Sequence, residues 1–229
     1  MSHSFSHLLG AAVVAVAGLS QLSHAQAQTT VLDFEPAALV GLHFPGNSFT
    51  QGNYQMTTLL DFGTVDVAAA LGAVAPSGNA TQFYFNSNSG SVRITAVDAV
   101  PFNLNSFSAA FVPLDPPSPQ TTVIVARGIT MGDVEVLSWW NFASSATSSF
   151  PFADFTAAVA LSNLKSLDFY ACSLVGGLTC TQPTLNNGQF AIDNISITAV
   201  PEPSTVLLLT LGVLALGLRH SMAARRSQR

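Results

Sequence analysis

Charge is what this chain has least of. Charged residues make up 8% of it, and only seven are cationic. Four of those, Arg219, Arg225, Arg226 and Arg229, fall at the carboxyl end, so the stretch from Gln28 to Val200 sets Arg93, Arg127 and Lys165 against eleven acids, a net charge of −8. Such a body offers no basic footprint to a phosphate backbone, which argues against nucleic-acid binding.

Histidine and cysteine are as scarce. His43 is the sole histidine between the two ends, in Gly41-Leu-His-Phe-Pro45, so a His-based reaction has one candidate base, and no Gly-x-Ser-x-Gly elbow accompanies it. Two cysteines in all leave no second ligand pair for a Cys-type zinc site. Asp133 and Glu135 flank Val134, and such a carboxylate pair could in principle cut a glycosidic bond; two acids on one strand face are more commonly a solvated face. The composition therefore reads as no enzyme. A secreted hydrolase acting on polysaccharide is the alternative.

Long apolar runs occur only at the ends. At the amino end, Leu8–Leu19 is an apolar core of a dozen residues and Ala25-Gln-Ala27 supplies the small-x-small pattern that precedes a cleavage point. Residues 1–27 therefore read as a secretory signal peptide for the Sec export machinery. An uncleaved anchor is the alternative, and the core is short for one. At the other end, Pro201-Glu-Pro203 precedes the apolar run Val206–Leu218, which as a helix spans about 20 Å against a hydrocarbon core of about 30 Å. Insertion as a transmembrane helix requires Arg219 and His220 to sit at the interface, with the arginine head reaching water. The arginines then stay cytoplasmic and the acidic body goes out.

These three parts, Pro201-Glu202-Pro203, the apolar run 206–218 and the basic tail with Arg219, Arg225 and Arg226, resemble the PEP-CTERM sorting signal over residues 200–229. The resemblance implies processing by an exosortase-like enzyme in the inner membrane of a Gram-negative, exopolysaccharide-producing bacterium. The expected course is an inner-membrane-tethered precursor, then release to the cell surface or extracellular matrix.

Between the ends, residues 28–199 are one domain's worth of chain. Helical periodicity is nearly absent, and Gly72 and Pro76 hold Ala68–Ala75 to a helical turn or two. Alternating short runs predict strands at Thr29–Glu35, Thr81–Phe85, Ser91–Val97, Ser106–Val112, Thr121–Arg127, Val134–Trp140, Ser166–Cys172 and Gln189–Thr198. Turn clusters such as Asn86–Gly90 and Asp115–Pro119 separate them. The prediction is an all-β fold, a single antiparallel β-sandwich. Cys172 and Cys180 bracket Gly176-Gly177, which in an oxidising compartment predicts a disulfide closing a hairpin, with two free thiols as the alternative.

The opening Val31–Glu35 and the closing Phe190–Ile197 resemble the ends of the jelly-roll ectodomains found among PEP-CTERM proteins, which are similar to galactose-binding-like and carbohydrate-binding modules. That likeness implies a structural calcium where first and last strands meet, with Asp33, Glu35 and Asp193 as its hard oxygen ligands; solvated outer-face acids are the alternative. Trp139 and Trp140 are adjacent, so on a regular strand one faces the core and the other faces away, where it can stack on a sugar. Exopolysaccharide is the ligand suggested by the family's setting. A purely structural or adhesion role is the remaining alternative. Asn79-Ala-Thr81 and Asn194-Ile-Ser196 match the glycosylation pattern only weakly as a signal.

Overall fold

The computed structural model describes residues 27–72, 75–88, 90–112, 121–142, 151–175, 179–181, 188–200 and 212–213. Residues 1–26 of the expected signal peptide lie outside these, as do Pro201, Glu202, Pro203, Arg219, Arg225, Arg226 and all of the apolar run except Gly212 and Val213. Of Cys180 only the backbone is described. No helix among the described residues is long and apolar enough to cross a membrane.

Gln28–Val200 forms a compact unit of its own. Its described strands are β1 (Thr29–Leu32), β2 (Gly41–His43), β3 (Ser48–Gln51), β4 (Tyr54–Leu60), β5 (Gly63–Val67), β6 (Gln82–Asn86) and β7 (Ser91–Ala96). They continue with β8 (Phe102–Phe111), β9 (Thr121–Thr130), β10 (Glu135–Asn141), β11 (Ala153–Thr156), β12 (Leu164–Val175), β13 (Thr179–Thr181) and β14 (Phe190–Ala199). Helix among the described residues of this unit is a 3-10 turn at Ala37–Leu39 and one α-helical turn at Ala68–Leu71, the latter ended by Gly72 at φ 63°.

The strands make one continuous antiparallel sheet. The expected all-β, antiparallel fold is present, with its two layers joined into one sheet by a local link. One wing runs β3-β4-β7-β12-β9-β10 and the other β2-β5-β6-β14-β8-β11; Leu164 at the head of β12 pairs with Phe102 at the head of β8 and ties them together. β1 lies beside β14, and β13 beside the end of β12.

The two wings face each other across one core. Phe107 on β8 meets Phe169 on β12 at 5.0 Å and the edge of Trp140 on β10 at 4.9 Å between ring centroids. Tyr54 on β4 stands edge-on to Phe102 at 5.6 Å. At the far end Phe49 on β3 packs 6.1 Å from Tyr84 on β6. Each ring reaches the core because side chains alternate along a strand, and each buried ring contributes about 2–3 kcal/mol of apolar transfer. The Tyr84 hydroxyl is buried there, which raises its pKa to about 12, and it is bonded to the Thr58 hydroxyl and to Asn86 Nδ2, both at 3.0 Å.

Local conformation shifts several expected boundaries. The first strand stops at Leu32 because Phe34 adopts φ 58°, so Asp33 and Glu35 do not share a strand face. Asp133 adopts φ 60° in the β9–β10 turn, so it too leaves the strand on which Glu135 begins. Strands β2, β3, β4, β5 and β11 were not expected from the sequence; each acquires its conformation from a paired neighbour.

Candidate functional site

Two places on the body gather polar side chains. The larger is a groove of about 500 Å³ on the outward face of the β4-β7-β12-β9-β10 wing. Register builds it. Thr57, Arg93, Asp168, Arg127 and Leu137 are successive cross-strand partners, so all five point the same way and form one row. Two residues along, Ser91, Tyr170, Val125 and Trp139 form the next row.

The polar row is fixed by ion pairs. Arg93 donates to both oxygens of Asp168, Nε at 2.7 Å and Nη2 at 2.8 Å. Arg127 donates through Nε and Nη2 to Glu135 Oε2, at 2.9 and 2.7 Å. These bonds raise the pKa of both guanidiniums. Asp168 is buried, whereas Arg93 is about half exposed, so the carboxylate depends on its partner more than the reverse. In the other row the ring of Tyr170 packs on Val123, Val125 and Cys172, an apolar cluster on the outer side of the sheet. Burial is the main cause that raises the Tyr170 pKa.

The tryptophans separate by strand alternation. Trp139 projects outward and is 62% exposed. Trp140 turns inward against Phe107, and its Nε1 donates to the Thr156 carbonyl at 3.0 Å. Of the two, only Trp139 is thus available to a ligand on that face, where it lines a recess adjoining the groove at Leu137. Sequence reasoning named Trp139 but not Arg93, Arg127, Asp168 or Tyr170; the cue was the outward position of each in its strand, and that cue needs the register to be read. Asp133 is engaged by Lys165 and Glu135 by Arg127, so the expected acid pair is divided between two cations.

The second place is where β14 passes the chain that leads into β6. Asp193 is 1% exposed, and accepts from Asn79 Nδ2 and the Asn194 backbone N–H, both at 2.7 Å, and from Thr81 Oγ1 at 3.4 Å. Burial raises its pKa to about 6 despite those bonds, and Glu35 adds to the rise. Asp33 is turned elsewhere: its Oδ1 accepts from Gln51 Nε2 and from the Glu35 N–H. Glu35 therefore neighbours Asp193 electrostatically and Asp33 does not join them. Among the described residues no group of three or more His, Cys, Asp and Glu is placed to hold a metal. His43 lies beside Phe49, ring centroids 4.5 Å apart, with Nε2 3.0 Å from the Leu39 carbonyl, a packing role.

No relative is found among curated proteins. The chain is similar in structure to a DUF4465 family protein from Bacteroides ovatus, at 9% identity and TM-score 0.45, covering 76% of this chain and 99% of that one. It is also similar to the CBM22-1 xylan-binding domain of Xyn10C from Paenibacillus barcinonensis, at 11% identity and TM-score 0.39, covering 76% and 96%. A third is the family 11 carbohydrate-binding module from Clostridium thermocellum in complex with a mixed-linked tetrasaccharide, at 12%, TM-score 0.33, covering 76% and 96%. Likenesses this distant carry no argument about what this chain binds. The match that identifies something lies at the carboxyl end: residues 199–226 are a PEP-CTERM protein-sorting motif.

Proposed function

We propose that this protein is exported, sorted by an exosortase-like enzyme and displayed at the cell surface or in the extracellular matrix, where residues 28–200 bind glycan without catalysis. The sorting half rests on the motif at residues 199–226. The binding half rests on the groove, in which planar and apolar side chains lie beside a row of fixed polar groups, the composition that sugar faces and hydroxyls call for. Both groove carboxylates are engaged by arginines, an arrangement suited to recognition rather than to bond cleavage.

Supporting features complete the proposal. Residues 1–27 act as the removed signal peptide and 206–218 as the transmembrane stop of the precursor. Antiparallel pairing of Leu174 with Cys180 and of Val175 with Thr179 brings the two cysteine-bearing arms together, and no described cysteine is free, in keeping with a Cys172–Cys180 disulfide. A structural calcium would sit at Asp193 and Glu35, with Asn79 nearby. What supports it is the buried Asp193 carboxylate, whose charge a cation would stabilise; that carboxylate already accepts from Asn79, Thr81 and Asn194, and among the described residues no third acid or histidine joins it and Glu35. Asp33 is the weakest of the three expected ligands, being held by Gln51.

Intact mass of the protein from its host, with and without Glu202→Ala, tests the sorting. The expected wild-type species begins near Gln28 and ends near Pro201–Ser204, and fails to form in the variant. A wild-type species still ending at Arg229 refutes exosortase processing. A glycan array on the mature protein tests the binding, and a blank array leaves a structural or adhesion role.

A further inference from the structure

The body has three cations in all, and each is matched by a carboxylate. Arg93 is held by Asp168, Arg127 by Glu135 and Lys165 by Asp133. Two of these pairs lie in the groove, so its four charges cancel within it, while the body around it carries −8. A uronate or sulfate group arriving there meets no unengaged guanidinium, and it approaches a surface of its own sign. An uncharged sugar has no such penalty. The guanidiniums retain N–H donors beyond those given to their partners, and the carboxylates retain lone pairs, which is what hydroxyl groups require.

The register also gives a direction. Tyr170 and Trp139 belong to one cross-strand row, with Val125 between them. They are two strands apart, about 10 Å, close to the length of a disaccharide. The ion-paired row runs parallel to them, two residues along the strands and about 7 Å away. Trp139 lines a recess beside the groove, and Leu137 borders both, so a chain laid across the strands from one to the other sets alternate rings over Tyr170 and Trp139 while its hydroxyls face Arg93, Asp168 and Arg127.

We infer that this groove takes an uncharged, extended polysaccharide lying across the strands, and that the pairing of its arginines excludes uronate- and sulfate-bearing chains. The inference rests on the glycan-binding reading above and narrows it. Affinity electrophoresis of the mature protein tests both, with hydroxyethylcellulose and galactomannan as neutral probes and polygalacturonate and dextran sulfate as acidic ones, over a range of NaCl concentrations. Retardation by a neutral polymer, unchanged by salt, is the expected result. Preference for the acidic polymers, fading as salt rises, overturns the inference and leaves glycan binding standing. Retardation by neither class overturns both.

Two variants sharpen the reading. Trp139→Ala is expected to weaken neutral-polymer binding about tenfold with an unchanged melting temperature, as for an exposed anchor residue. Glu135→Gln releases Arg127 and is expected to raise affinity for polygalacturonate roughly three- to fivefold, the scale of one screened charge pair. No gain in that variant removes the arginine pairing as the source of selectivity.

Discussion

Arg93 and Asp168 are direct cross-strand partners on β7 and β12, and the guanidinium grips both carboxylate oxygens at 2.7 and 2.8 Å. The two ends of the pair are not equally exposed, side-chain values being 40% for Arg93 and 8% for Asp168. Loss of Arg93 therefore strands a buried carboxylate, whereas loss of the carboxylate lets the arginine turn to water. Arg93→Met is expected to cost about 3 kcal/mol and Asp168→Asn clearly less, read from urea denaturation midpoints. Equal losses would mean that solvent reaches Asp168.

Asp193 makes stability pH-dependent. Its folded pKa of about 6 lies above the ordinary 3.8, so the folded state holds the proton more tightly than the unfolded chain. The cost of the buried charge is then fully present above pH 6 and is relieved as pH falls from about 6 toward 3.8. With calcium chelated, the melting temperature is expected to rise on acidification through that window, by an amount reflecting on the order of 2–3 kcal/mol. Asp193→Asn is expected to abolish the rise. Added calcium at neutral pH is expected to stabilise the wild type alone; no heat in titration calorimetry together with an unmoved melting temperature ends the calcium proposal.

The two tryptophans are expected to part company on mutation. Trp140→Ala empties a place against Phe107 and costs about 3 kcal/mol. Trp139→Ala alters stability by about 0.5 kcal/mol or less, because the ring is 62% exposed. Thermal melts of both variants measure the difference.

Close approach requires glycine at positions 63 and 90. A Cβ on Gly63 would overlap the Tyr84 hydroxyl, and one on Gly90 would overlap Asn86 Oδ1 and crowd the Leu60 carbonyl. Asn86 Oδ1 is buried without a conventional partner, and the same geometry aims a Gly90 Cα–H at it, a weak acceptor contact. Gly63→Ala and Gly90→Ala are each expected to lower stability by roughly 1–3 kcal/mol. A melt unchanged in Gly90→Ala would show that the β6–β7 connection yields freely.

Which strands were legible follows from how each is stabilised. Runs that become β7, β9, β12 and β14 carry dense Val, Ile and Phe in alternation, so a local reading finds them. Gly41–His43, Ser48–Gln51 and Gly63–Val67 are short and rich in glycine or small polar residues, and become strands by hydrogen bonding to partners already formed. The two acids expected at the first strand failed as a same-face pair for a single reason: one positive φ at Phe34 breaks the alternation between them.

By itself the sequence determined the all-β class, the acidic body with its three cations and one histidine, and the sorting motif at the carboxyl end, because composition and contiguous patterns need no partner to be read. The tertiary structure alone decided which side chains share the groove. Arg93, Arg127, Asp168 and Tyr170 come from three strands that are distant in the chain, and only the antiparallel register of β7, β12 and β9 places them on one face. It also decided that Asp193 is buried beside Asn79, 114 residues away, since desolvation is a property of the packed environment and leaves no mark on local sequence.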